Sequence, residues 1–338
     1  MALPTAQLGR DGPEVPRLGF GLMGLSVFYG PPKPDSERLA LLDHAYKLGE
    51  RFWDSSDFYG DNEVFIGKWF KANPDKRNDI FFATKFAASL ENHKIDSSPE
   101  YCKAACDASL ERLNIKQIDL YYCHRVDQKT PIEKTVQAMA ELKQQGKIKY
   151  LGLSEISSAT LRRAHKVHPI SAVQVEYSPF ALEIESEQID LLKTCRELGV
   201  AVVAYSPLSR GMLTGAYKSA DDFGEGDFRS FAPRFSKENF PKNLKLVEKI
   251  KEVAEKKGVT PGQATLAWLM AQGQDIFPIP GTTKKERLEE NMGSLKVELT
   301  SEEVATIRKA VEEAEVAGTR YPEQFLKMCY ADTPPLEE

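Results

Sequence analysis

Short runs rich in β-branched and aromatic residues alternate with longer segments in which apolar side chains recur every three or four positions. The runs are RLGFG (17–21), RFWD (51–54), DIFFATK (79–85), IDLYYCH (118–124), KYLGLS (149–154), SAVQVE (171–176), VAVVAYS (200–206) and DIFPIPG (275–281). Runs this apolar suit a parallel sheet buried on both faces, and the amphipathic segments between them predict the covering helices. Eight such units close a (β/α)₈ TIM barrel, the α/β architecture expected here, although alternation alone also fits an open, doubly wound sheet.

Local signals add detail. Thr130-Pro131-Ile132-Glu133 combines a capping Thr, a Pro at the first helical position and a Glu three residues on, with a stop expected near Gly146. Thr300-Ser301-Glu302-Glu303 repeats the capping box. A Gly-Arg-Asp-Gly turn within residues 5–16 predicts an N-terminal β-hairpin that closes the barrel's bottom. After the seventh strand, residues 207–239 carry Gly, Pro, Phe and Arg without periodicity, and a loop that long is expected to be functional, here as an ordered lid. No repeat or low-complexity tract splits the chain, so residues 1–338 read as one domain with a hairpin (1–16), a lid or cofactor loop (207–239) and a C-terminal tail (317–338).

Composition narrows the function. The chain has 41% hydrophobic and 28% charged residues and a net charge of -5, so no basic excess suggests nucleic acid. It has no run of roughly 18 apolar residues and no basic-then-apolar leader, which predicts a cytoplasmic protein without a membrane partner. Cys102, Cys106, Cys123, Cys195 and Cys329 are too scattered for a disulfide framework, and without matching His or Cys pairs no metal is assigned. The pattern leaves oligomeric state open.

In a barrel of this kind the C-terminal ends of the strands face the active site. Asp54, Lys85 and His124 end the second, third and fourth strands, and Tyr59 follows in the loop after Asp54. Taken singly, Asp54 could cap a helix, Lys85 could be a solvated strand end, Tyr59 a packed aromatic and His124 a carbonyl donor. On adjacent strand ends the four together suggest acid–base chemistry. A nearby Lys85 ammonium would lower the Tyr59 pKa, Asp54 would keep Lys85 charged, and His124 would orient a carbonyl oxygen or share its proton. His44, His93, His165 and His168 fall on predicted helices or connections, where structural roles are expected.

WDSSDFYG (53–60), ATKF (83–86), YYCHR (121–125), AYSPLSRGMLTG (204–215) and IPGTTKKERLEEN (279–291) together resemble the aldo-keto reductases over residues 15–316. The opening GLMGLSVFYGPPKPD (21–35) is most similar to a subgroup that includes perakine reductase and yeast and fungal relatives. The resemblance implies reduction of an aldehyde or ketone, with hydride from C4 of NADPH and Asp54, Tyr59, Lys85 and His124 as the catalytic tetrad. It further implies that Tyr205 stacks on the nicotinamide and that Ser154 and Gln174 hold its carboxamide. Ser206, Leu208, Arg210 and Gly211 would strap the pyrophosphate, and Gly21, Leu22 and Met23 would touch the nicotinamide end.

Gly281-Thr282-Thr283 leads into a helix whose N-terminal amides can receive phosphate, and Lys284, Lys285 and Arg287 add charge. The resemblance assigns this segment to the adenosine 2′-phosphate and Glu290 and Asn291 to adenine, which favours NADP over NAD. The chain departs from the family at Ser154-Glu155, where Ser-Asn is usual. Glutamate cannot donate to a carboxamide oxygen, so nicotinamide placement by residue 155 is in doubt.

Three rival readings remain. Gly19-Phe20-Gly21-Leu22-Met23-Gly24 fits a dinucleotide fingerprint, but no helix pattern opens at its third glycine. Lys85 could be the Schiff-base nucleophile of an aldolase. The chain could also resemble NADPH-binding regulatory subunits that do not turn over. Phe28, Tyr29, Phe58, Phe86 and Phe228 suggest an apolar or aromatic small-molecule carbonyl substrate.

Overall fold

The computed structural model describes residues 3–88, 94–224 and 226–337. An antiparallel hairpin, β1 (Thr5–Gln7) and β2 (Glu14–Pro16), precedes β3 (Phe20–Gly21), and from there strand and helix alternate. The order is α1 (Asp35–Leu48), β4 (Phe52–Asp54), α2 (Asn62–Ala72), β5 (Phe81–Phe86), α3 (Pro99–Leu113), β6 (Ile118–Cys123), α4 (Ile132–Gln144) and β7 (Ile148–Ser154). Next come α5 (Ser158–Val167), β8 (Ala172–Glu176), α6 (Leu191–Leu198) and β9 (Ala201–Tyr205). After a long connection follow α7 (Phe240–Lys257), α8 (Pro261–Ala271), β10 (Ile276–Pro278), α9 (Lys285–Gly293), α10 (Ser301–Glu313) and the short α11 (Glu323–Leu326). Among the described residues no helix is long and apolar enough to cross a membrane.

Strands β3 to β10 form one parallel sheet in sequence order. The edges meet where Gly19 N donates to Pro278 O (2.9 Å), Gly21 N donates to Pro280 O (3.3 Å) and Gly21 bridges Gly281. The open-sheet alternative is thereby set aside in favour of a closed barrel. Glycine is required at this seam, because a Cβ on Gly21 would lie 2.7 Å from Ile279 O and one on Gly281 2.7 Å from Gly21 O.

Alternate strand residues fill the interior: Phe52, Ala83, Leu120, Tyr122, Ala172, Ala201, Val203, Phe277 and Ile279 form one buried cluster. Leu8 and Val15 of the hairpin join it, so the hairpin plugs the bottom as its sequence predicts. Outward-facing strand residues pack on the helices, each fully buried large side chain contributing roughly 1.5–3 kcal/mol.

One sequence expectation changes and another holds. The box at Thr130 does not form: Thr130 Oγ1 donates to Asp127 instead, α4 begins at Ile132, and the Ile132 amide donates to Thr333 Oγ1 at 3.3 Å. A side-chain partner one turn back wins the hydroxyl. The box at Thr300–Glu303 does form. The fingerprint-like stretch 19–24 leads into a short 3-10 turn, Met23–Leu25, with no α-helix before Asp35, which removes the Rossmann reading.

The connection after β9 is ordered into four short 3-10 turns between Ser209 and Phe235 and touches the loop after β3 through a Tyr29–Asp227 bridge and a Phe228 N to Phe28 O bond (3.0 Å). The tail runs back over the same end of the barrel, where Ala331 N donates to Glu155 O and Ser157 N to Ala331 O, both at 3.0 Å.

Candidate active site

A cavity of about 1160 Å³ opens at the C-terminal end of the barrel strands. Asp54, Tyr59, His124, Ser154, Gln174 and Tyr205 line one end of it, while Lys284, Arg287, Glu290 and Asn291 line the other. Lys85 lies in the floor, fully buried, with its ammonium beneath Tyr59.

The four predicted catalytic side chains meet. Lys85 Nζ donates to Asp54 Oδ1 (2.5 Å) and Ser55 O (2.7 Å) and stands 3.5 Å from Tyr59 Oη. The strand pleat places them: Asp54 is in register with Ala83 on β5, so Lys85, two residues on, points into the same interior just above it. Room for this floor comes from Gly152 on β7, where a Cβ would strike the Tyr122 ring at 2.4 Å; that ring lies 5.8 Å from Lys85 Nζ. The His124 ring meets Tyr59 edge to face at 5.8 Å, and its Nδ1 is 3.1 Å from Ser56 Oγ.

The electrostatics differ from the sequence expectation. Burial pushes the Tyr59 phenol well above its ordinary value and the Asp54 charge adds to this, with Arg125 opposing. A lowered phenol pKa is therefore corrected: Lys85 shares its charge with Asp54, and desolvation wins. Burial also raises the Asp54 carboxyl against the pull of Lys85, and lowers the Lys85 ammonium against the pull of Asp54. His124 falls well below its ordinary value through burial, with Arg125 and Lys85 adding repulsion, so its ring is neutral.

Of the residues predicted to hold a cofactor, Gly21, Leu22, Met23, Ser154, Gln174, Tyr205, Ser206, Leu208, Arg210, Gly211, Gly281, Thr282, Thr283, Lys284, Arg287, Glu290 and Asn291 line the cavity. Lys285 does not: it is exposed as the first residue of α9, because each helical step turns the next side chain away from the one before. Gln174 Nε2 donates to Asp54 Oδ2 at 2.8 Å. In the loop after β9, Ser206, Ser209 and Arg210 have φ of 48°, 47° and 54° and Gly211 has 95°, a concentration of left-handed backbone of the kind stored at ligand clamps.

Phe28, Tyr29, Phe58 and Phe228 also line the cavity, with Phe28 stacked on Phe58 at 5.9 Å and edge-on to Phe228 at 6.4 Å. Phe86 does not. It follows the inward Lys85 on β5, so it faces outward and stacks on Tyr121 at 4.9 Å in the helix-covered core. Of the other histidines, His44 meets Glu289, His165 accepts from the Ile170 amide and His168 meets Pro169 O; His93 lies outside the described residues.

Glu155 has a place that sequence reasoning did not foresee. Its carboxylate is fully buried and receives Arg320 Nη1 and Nη2 (2.8 Å each), Tyr205 Oη (2.8 Å) and the Glu176 amide (3.3 Å). Burial alone would raise it, but Arg320, Arg125 and the Tyr205 hydroxyl bring it down to about 2. Residue 155 thus holds the tail and the Tyr205 ring rather than facing the cavity. Tyr321, Gln324, Phe325, Met328 and Cys329 of the tail line the cavity, as do Tyr217 and Arg229 of the long loop and Arg125 after β6. Arg125 had a sequence signal in its position directly after His124, and Tyr217 and Arg229 in the lid read over residues 207–239. Among the described residues no group of three or more His, Cys, Asp or Glu could hold a metal, and the five cysteines are free.

Residues 17–312 match the aldo/keto reductase family model. The chain is 55% identical to the aldo-keto reductase str7 of Strobilurus tenacellus over 325 residues, covering 95% of each chain. It is 52% identical to the aldo-keto reductase yakc of Schizosaccharomyces pombe, covering 99% of each. Among solved structures it is similar to the glycerol dehydrogenase AKR11B4 of Gluconobacter oxydans, with a TM-score of 0.82, 27% identity and coverage of 94% of this chain and 98% of that one. It is also similar to the thermostable aldo-keto reductase Tm1743, at TM-score 0.74, 30% identity and coverage of 91% and 100%. With barrel, strand-end residues and sequence all in agreement, the chain belongs to the aldo/keto reductase family of oxidoreductases.

Proposed function

We propose that the protein reduces an aldehyde or ketone to the alcohol with NADPH, Tyr59 acting as the general acid. The observation that carries this reading is the buried line Asp54 Oδ1, Lys85 Nζ, Tyr59 Oη, with spacings of 2.5 and 3.5 Å, opening into a cavity large enough for a dinucleotide and a small substrate.

The residues fit the cofactor. Arg210, Arg234 and Arg320 surround Glu176 at 3.3–3.6 Å; of the three, Arg210 lines the cavity, where its guanidinium suits a pyrophosphate. At the far end, Lys284 and Arg287 stand where α9 begins, and a phosphate ester there favours NADPH. The relative yakc is named for NADP(+). When bound, NADPH supplies the hydride that the carbonyl carbon receives.

The chain's own groups handle the proton. Because burial raises the Tyr59 phenol, it stays protonated throughout the neutral range and is a donor when the carbonyl oxygen becomes a strongly basic alkoxide. Lys85 stabilises the phenolate left behind, and Asp54 with the Ser55 carbonyl fixes the ammonium in place. When Ser56 Oγ donates to Nδ1, 3.1 Å away, neutral His124 carries its proton on Nε2, where it orients the carbonyl oxygen. Lys85 is sealed in the floor and already bonded to Asp54 and Ser55, which argues against a Schiff base.

Tyr59→Phe tests the reading. NADPH oxidation with aldehydes is expected to fall by about 10²–10⁴-fold while NADPH affinity stays within a few-fold, because a proton donor is lost and little volume. Full turnover in the variant rejects Tyr59 as the acid. NADPH binding without oxidation by wild type, across a broad panel of aldehydes, ketones and quinones, favours a regulatory binding role instead.

A further inference from the structure

We infer that Arg125 is a specificity-determining residue that receives a carboxylate of the substrate, so that the preferred carbonyl compounds are oxo-acids; this rests on the reductase reading. Arg125 follows His124 directly at the mouth of β6 and lines the same cavity, half-buried. Its Nη1 donates to His124 O (2.6 Å) and Ser154 Oγ (3.2 Å), two groups held by neighbouring strands. Those bonds aim the guanidinium. Among the described residues they leave Nε and Nη2, the other edge of the fork, with no acceptor and with no carboxylate within 4 Å.

The surrounding charges are already matched. Asp54 is bonded to Lys85 and Glu155 to Arg320, so Glu155 acts on Arg125 through space and neither carboxylate occupies its open edge. A guanidinium is charged at every physiological pH, and leaving one half-buried with N–H donors unbonded is costly unless a ligand supplies the acceptor. An open Nε/Nη2 edge presents two parallel N–H donors, a spacing that matches a planar carboxylate in bidentate fashion. The other side of His124 is apolar: the Phe58 ring stands edge-on to it at 5.9 Å, with Phe28 stacked beyond. A compact molecule with an aromatic or aliphatic body, a carbonyl and a carboxylate would place its oxygen at Tyr59 and His124 and its anion on Arg125.

The test pairs 4-carboxybenzaldehyde with its uncharged analogue, methyl 4-formylbenzoate, in wild type and in Arg125→Met and Arg125→Lys. Wild type is expected to favour the acid by tenfold or more in kcat/KM. Arg125→Met should lower kcat/KM for the acid on the order of 10²-fold, through KM more than kcat, while the ester changes by less than about threefold. Arg125→Lys should recover part of the loss, since it restores charge without the fork. Equal losses on acid and ester, or an equal loss of NADPH affinity, would overturn the inference and make Arg125 a positioning residue for His124 and Ser154. A binding measurement separates this from failure of the reductase reading: 4-(hydroxymethyl)benzoate should bind the NADP⁺-loaded wild type at least tenfold more tightly than its methyl ester, and lose that advantage in Arg125→Met, whether or not turnover is seen. Equal affinities of acid and ester for wild type reject the carboxylate site.

Discussion

Two buried carboxylate–cation pairs sit at the same end of the barrel and are built differently. Asp54 meets Lys85, a point charge that divides its donors among Asp54, the Ser55 carbonyl and the neighbourhood of Tyr59. Glu155 meets Arg320, a planar fork that fills both carboxylate oxygens, with Tyr205 Oη and the Glu176 amide completing the shell. Burial costs both carboxylates their hydration, yet Asp54 ends above its ordinary value and Glu155 falls to about 2. Donor number and geometry make the difference. The first pair lies beneath the Tyr59 hydroxyl, and the second locks the tail to the barrel.

The largest break in this comparison should come from Lys85→Met. It strands Asp54 in the floor and removes the charge beneath Tyr59, so kcat in single-turnover reduction should fall by about 10²–10⁴-fold and urea midpoints should fall too. Arg320→Met removes the cation from the other pair. Urea unfolding should report a loss of about 3–5 kcal/mol, with kcat reduced far less than in Lys85→Met. Replacing both members, Glu155→Leu with Arg320→Met, should recover much of that stability, because no buried charge is left alone. A double variant as unstable as the single one would mean that the tail needs the ion pair itself.

The acid limb sharpens the contrast. Glu155 titrates near 4.5 when unfolded and near 2 when folded, so its contribution is fully present above pH 4.5 and is lost as pH falls through 2. That is on the order of 3 kcal/mol, and Glu155→Gln should flatten the stability profile in that window. Glu50 supplies the opposite sign. Buried, with the Phe52 amide bonded to it at 2.7 Å, it is pushed up to about 8. It therefore stabilises most below pH 4.5 and loses that contribution as pH rises through 8, so Glu50→Gln should gain relative stability in alkaline urea titrations. The smallest effects belong to exposed cations: Lys284→Ala and Arg287→Ala should each weaken NADPH by about tenfold or less and NADH scarcely at all, as read by fluorescence titration. Equal loss for both cofactors would remove the 2′-phosphate from that end.

The chain's own pattern settled much of this. Period-2 and period-3.6 runs announced eight βα units, and because strand ends of such a barrel converge, Asp54, Lys85, His124 and Tyr59 were legible as one site before any contact was known. The hairpin was legible from its turn, and the proposed cofactor segment, which lines the cavity, from glycine, threonine and basic residues at a helix start. Tertiary structure decided the rest. Closure at Gly21 and Gly281 depends on strand tilt accumulated around the ring, which no local window records. Phe86 turned outward because Lys85 turned inward. The Tyr59 phenol moved up rather than down because desolvation depends on everything packed around it. Glu155 looked like an anomaly beside the nicotinamide and proved to be the anchor of a tail 165 residues away. Sequence periodicity reports which face of an element is buried; it carries no record of which distant side chain arrives to share that burial, and here the arriving side chain is Arg320.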